Sequence, residues 1–174
     1  MKSVKYYFLS FFFVLIACNQ VPNETSKEAQ TTTEQQMEIQ AQQGVITKKS
    51  NKSFEETYAS LKDIITNNPN LKIIAELDHQ KNAASVDLEL RPTRIILFGN
   101  PRLGTPLMQT SQTTGLDLPQ KILVWQDEEG MVNVSYNDPK YLQNRHGITG
   151  KDEVLAKVTG ALDKITNMAA GLAN

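Results

Sequence analysis

With one cysteine, Cys18, in 174 residues, the chain can form no internal disulfide and no thiolate-rich metal cluster. Histidine is nearly as scarce: His79 and His146 are the only two, too few for a structural zinc site that usually takes four protein ligands. Neither sign of charge prevails, with 18 Lys and Arg against 19 Asp and Glu and a formal net charge of -1. A chain so balanced lacks the basic face that nucleic-acid binding requires, and no nucleic-acid partner is expected. No apolar run reaches the roughly 20 residues of a membrane-spanning helix. The loop Gly99-Asn100-Pro101-Arg102-Leu103-Gly104-Thr105 lacks the Gly-Lys-Ser/Thr ending of a nucleotide-binding loop. Ser111 and Ser135 have no recognisable base partner, so nucleophilic catalysis has no support, and no cofactor or metal is expected.

The longest apolar run, Tyr6 to Ala17, follows a start carrying Lys2 and Lys5 and ends in Leu15-Ile16-Ala17-Cys18. About a dozen apolar residues suit a signal-peptide core, not a full span. The ending resembles a bacterial lipobox, in which the small residue before the cysteine admits the signal peptidase and the thiol takes diacylglycerol. Residues 1–17 are therefore expected to be a lipoprotein leader, with Cys18 the acylated new N-terminus. An uncleaved anchor with an incidental cysteine is the alternative. Loss of Lys2 and Lys5 takes the formal charge from -1 to about -3, so acyl chains and not charge would hold the protein to the membrane. The expected place is the bacterial cell envelope, on the outer side of the cytoplasmic membrane or on the outer membrane of a Gram-negative host. Asn19-Gln20, with no retention-signalling aspartate, favours the latter.

Residues 18–43 comprise this cysteine and a tether rich in Gln, Thr and Glu, which buries too little apolar surface to offset the entropy of ordering it. As a flexible chain it spans roughly 25–30 Å. Residues 44–174 carry the periodic patterns of one folded domain. Gly44 to Ser50 reads as a strand; Ser53 to Glu56 is a capping box opening a helix with Phe54, Tyr58, Leu61 and Ile65 on one face. Leu71, Ile73, Ala75 and Leu77 alternate as the buried face of a second strand. Ile95 to Phe98 forms a central buried strand, after which Thr105-Pro106 predicts the start of a short helix. Lys121 to Asp127 and Met131 to Asn137 read as a hairpin whose Asn133/Ser135 face is at least half wet. Asp138-Pro139 starts a helix that Gly147 stops, and Thr149 with Asp152 is expected to cap a last long helix.

Several short blocks appear in a fixed order: Asp78-His79; Leu90-Arg91-Pro92-Thr93; Phe98-Gly99-Asn100-Pro101; Gly104-Thr105-Pro106-Leu107-Met108; Gly115-Leu116-Asp117-Leu118-Pro119; Tyr136-Asn137-Asp138-Pro139; Arg145-His146-Gly147. Together they resemble the domain-of-unknown-function family 302 from about Gly44 to the last helix. The resemblance implies an α+β fold of the TATA-box-binding-protein-like class, β-α-β-β-β-β-α. It also implies an antiparallel sheet of about five strands with two long helices packed on one face, and often a homodimer. It supplies no activity. Asp87 stands where such sequences commonly have glycine, and aspartate tolerates a left-handed turn better than most residues.

Asp78, His79, Asn100, Arg102, Gly104, Thr105 and His146 are the candidate ligand-binding residues. Arg102 beside free backbone donors between two glycines would make an anion-holding corner, and that corner is expected to meet Asp78-His79 in one pocket. The alternative is that Gly99-Asn100-Pro101 is a tight turn, Thr105 a cap, and each histidine a structural hydrogen-bonder at the end of its element. The leading reading is a lipid-anchored envelope protein whose domain binds a small molecule, an anion or a protein without chemistry. One alternative is an enzyme with His79 as general base oriented by Asp78. Another is a dimerisation module whose two-fold contacts bury Trp125 or Tyr136.

Overall fold

The computed structural model describes residues 44–173, so the leader, Cys18 and the tether lie outside the described residues. In chain order the elements are β1 (Val45–Lys49), α1 (Phe54–Thr66), β2 (Lys72–Asp78), α2 (His79–Ala84), β3 (Thr93–Gly99) and α3 (Pro101–Thr110). A 3-10 helix (Gln112–Leu116), β4 (Gln120–Gln126), β5 (Val132–Asn137), α4 (Pro139–His146) and α5 (Asp152–Ala170) follow. The five strands form one sheet, β1-β5-β4-β3-β2, antiparallel throughout. Alternation along the strands sends Ile96, Phe98, Ile122, Val124 and Val134 to one face, where Leu61 and Ile65 of α1 and Val158, Leu162 and Ile165 of α5 cover them. This is the expected α+β architecture, two long helices on one face of a five-stranded antiparallel sheet.

Local chemistry accounts for most helix ends. Ser53 and Glu56 complete the capping box reciprocally, Asp138 caps α4 with Pro139 in its first turn, and Gly147 closes α4 in the left-handed region at φ 61°. Asp87 is left-handed too, at φ 58°.

Four expectations need correction. α3 starts at Pro101, not at Thr105: Asn100 caps it by accepting from the Arg102 N–H, and Pro106 sits inside the helix. α5 has no Thr149 cap; its first turn begins after Lys151, and Asp152 accepts from Gln143 at 3.1 Å. In β2 a bulge between Ile73 and Ala75 breaks the alternation. Ile73, Glu76 and Asp78 therefore share the helix-covered face with Phe98, Ile96 and Arg94, while Leu77 turns to the open face and is 44% exposed. On β5 the Asn133 and Ser135 side chains are not wet: both are buried although no long helix covers their face, Ser135 Oγ receiving the Trp125 indole N–H at 2.8 Å and Asn133 donating to Asp127 at 2.9 Å.

Candidate functional site

The expected pocket does not form as a single place. Antiparallel register sets Asp78 opposite Arg94 and Lys72 opposite Gly99, so six strand residues, about 20 Å at ~3.3 Å each, separate Asp78-His79 from Asn100. His146 lies in a third place, at the end of α4.

At the first of these, Asp78 caps α2 with one oxygen, on the Lys81 N–H at 3.0 Å, and holds Arg94 Nε at 2.9 Å with the other. Its burial would by itself raise the carboxyl's pKa, but the Lys81 N–H and the Arg94 guanidinium outweigh it and keep the group below the usual carboxylate range. Arg94 also grips Glu55 at 2.7 Å and lies over the rings of Phe54 and Tyr58. The Asp78 carboxylate thus faces Arg94 and a helix terminus, and not the His79 imidazole. The acid-base pair of the enzyme reading is absent. Arg94, which ties β3 to α1, carries no short motif and was not among the candidates.

The anion corner is occupied by its own chain. The Arg102 N–H goes to Asn100 Oδ1, the Leu103 and Gly104 N–H groups go to the Asn100 carbonyl at 2.9 and 3.0 Å, and Pro101 and Pro106 have none. The first turn of α3 therefore offers no spare donor to an anion. Arg102 and Thr105 are exposed.

His146 is 4% exposed in its side chain and saturated. Nε2 meets Asp117 Oδ2 at 2.5 Å, and Nδ1 meets Thr113 Oγ1 at 3.0 Å. Arg145 reaches the other Asp117 oxygen at 3.4 Å. This explains two of the sequence blocks at once: the aspartate of Gly115-Leu116-Asp117 receives the arginine and histidine of Arg145-His146-Gly147, clamping the 3-10 segment to α4. Lys121 pins the same segment by donating to the carbonyls of Asp117 and Pro119, and burial pushes its ammonium pKa down. With both nitrogens engaged, His146 has no lone pair directed at a metal. Among the described residues no group of three or more His, Cys, Asp or Glu gathers as a metal site.

What the corner does build is a cavity of about 380 Å³, where β3 leaves the sheet for α3. Phe98 from β3, Leu103, Leu107 and Met108 from α3, Leu118 before β4 and Leu162 from α5 supply apolar walls. Lys72, Asn100, Thr105 and Gln120 are the polar side chains in its lining. Of the candidate residues, Asn100, Gly104 and Thr105 line it; Arg102, Asp78, His79 and His146 do not. The sequence located this corner from its turn and helix-start residues; of its two readings the tight turn and cap is the one these hydrogen bonds match, with Asn100 and not Thr105 as the cap.

Residues 46–165 match the family described as "Domain of unknown function DUF302". The crystal structure of an uncharacterized conserved DUF302 protein from Bacillus stearothermophilus superposes with a TM-score of 0.64 at 16% identity, covering 72% of this chain and 98% of that one. Over 103 residues, 58% of this chain, the sequence is 42% identical to the fluoride-specific ion channel FluC 1 of Brucella suis and to that of Brucella abortus. The chain spans about two fifths of the length of these curated relatives, 40% and 38%. The chain belongs to the DUF302 family, a domain of unknown function.

Proposed function

We propose that this protein is an envelope lipoprotein, moored by acyl chains on Cys18, whose DUF302 domain is a non-catalytic binding module. Its ligand would sit in the cavity at the end of the sheet. One observation carries the reading: a pocket of about 380 Å³, within the range of roughly 300–1,000 Å³ usual for small-molecule sites, is walled by apolar side chains with a few amide and hydroxyl groups at its mouth. Among the described residues Lys72 is the one ionisable side chain that lines it. The Brucella relatives support the membrane setting, since in them a stretch like this one belongs to chains named as ion channels. Fluoride conduction stays with those proteins.

Two measurements test the halves separately. Cys18→Ser should move the protein from the membrane to the soluble fraction and abolish the acyl mass on the N-terminal peptide; a variant that stays membrane-bound removes the anchor. For the cavity, 1-aminoanthracene fluorescence should rise on mixing with residues 19–174 and stay low with Ala161→Trp. Ala161 is exposed at the cavity mouth on α5, so the bulk blocks entry without entering the core. The Bacillus DUF302 chain, matched over 98% of its length, is a precedent for this fold as a free-standing unit. Equal enhancement with both proteins would remove the cavity as a binding site.

A further inference from the structure

The cavity does not end at its walls. A second, shallower groove runs between α1 and α5, and Leu71, Asn100, Leu103, Ala161 and Ile165 line both. The two volumes therefore meet at one mouth, with Asn100 and Ala161 on its rim. Inside, the occupant meets Phe98, Leu107, Met108, Leu118 and Leu162 and finds almost nothing to hydrogen-bond. A charged or strongly hydrated ligand would lose its water there without replacement. Outside, the groove is more open and of mixed character, with Lys52, Glu56, Asp63, Asn67 and Lys164 along it beside Ile64 and Met168. Asn100 stands between the two: its Oδ1 is taken by the Arg102 N–H, and among the described residues nothing accepts from its Nδ2.

We infer that the ligand is a single-chain amphiphile, an unbranched aliphatic tail seated in the cavity with a head that accepts hydrogen bonds from Asn100 at the mouth. The inference rests on the binding-module reading above and names its ligand class. Size argues for one chain: about 380 Å³ is near the lower end of the roughly 300–1,000 Å³ usual for ligand sites, room for a single aliphatic tail and not for two.

The test is a chain-length series on residues 19–174, below the micellar range. Hexanoate, octanoate, decanoate and dodecanoate, with the matching alkanols, are titrated as competitors of 1-aminoanthracene. Each methylene added inside the cavity should tighten binding about fourfold, the equivalent of ~0.8 kcal/mol, until the cavity is full and the gain stops. Ala161→Trp should abolish the series, and Asn100→Ser, which keeps a cap for α3, should weaken every member by a similar factor while leaving the slope with length unchanged. Affinity that does not grow with length, or that grows equally in Ala161→Trp, overturns the inference. If 1-aminoanthracene still binds and is still excluded by Ala161→Trp, the binding module survives and only the ligand class is wrong. If the probe fails as well, both readings fall.

Discussion

Thr114 is the residue at which this structure is locally least satisfied. Its side chain is fully buried, and among the described residues Thr114 Oγ1 is the buried side-chain oxygen with no hydrogen-bond partner. An orphaned buried hydroxyl forfeits about 1–3 kcal/mol of hydration, and valine has the same shape without that cost. Thr114→Val should raise the urea midpoint by about 1 kcal/mol in stability with an unchanged slope. Asp78 presents the opposite case, a carboxylate oversupplied with donors. Its pKa is lower folded than unfolded, so its contribution is fully present above the unfolded value of about 3.9 and is lost as pH falls through the folded value. Asp78→Asn should cost about 1 kcal/mol at neutral pH, since asparagine can still cap α2 but no longer pairs with Arg94. Melting curves of the two proteins should converge below pH ~3. A gap that persists in acid would mean that Asp78 acts through shape and not charge. The Lys81 partner of Asp78 is local, but Arg94 was hidden in the sequence, since it follows Asp78 by sixteen residues and reaches it only across a strand pair.

Elements were legible where their signals are local. The capping box at Ser53, the Asp138-Pro139 start and the Gly147 stop depend on residues within one turn, and all three stand in the structure. Reading failed where two local signals competed or where a neighbour decided. Asn100-Pro101 and Thr105-Pro106 are both cap-plus-proline pairs, and the earlier one won because Asn100 satisfies three N–H groups at once. The phase of β2 was lost to a bulge on an edge strand, which no alternation rule foresees. The proposed meeting of Asp78-His79 with Asn100 fails on topology alone, because in an antiparallel pair the end of β2 lies beside the start of β3, far from its exit. The Asp117–His146 clamp joins two sequence blocks 29 residues apart, and only register and packing show why both are needed. Helix α5 offers a clean measurement at this scale. Gly160 lies exposed in its interior, and a Cβ added there meets nothing within 4 Å, so Gly160→Ala should stabilise the protein by about 1 kcal/mol. Gly44→Ala should do the reverse, since φ is +76° and the new methyl would fall on the Tyr141 ring. Chemical denaturation of the two variants side by side tests whether glycine is spare in α5 and required before β1.

The described residues form two layers, with the two long helices on one face of the sheet. On the other face of the central strands lie Ile95, Leu97, Leu123 and Trp125, with Leu77 at the edge, and among the described residues no long helix packs there. Of the two dimer contacts expected from the sequence, Tyr136 is excluded. It lies under α5 at 4% exposure, with burial and Asp163 pushing its phenol up to about 12. Trp125 remains, half-buried, its indole N–H anchored on Ser135. A second copy meeting this face about a two-fold axis would bring β3 and β4 of each protomer onto the same strands of the other, which is the self-complementary arrangement a symmetric dimer requires. The homodimer is a proposal with a thermodynamic signature: association that removes this apolar surface makes the melting temperature rise with protein concentration. Leu123→Lys puts a charge at the centre of the patch while leaving Ile122 and Val124 in the core undisturbed. Sedimentation of residues 19–174 should show a dimer that this variant dissociates, and the concentration dependence of melting should vanish with it. A wild-type protein that sediments as a monomer at all concentrations, with a melting temperature independent of dilution, would leave the open face to the tether or to a different partner.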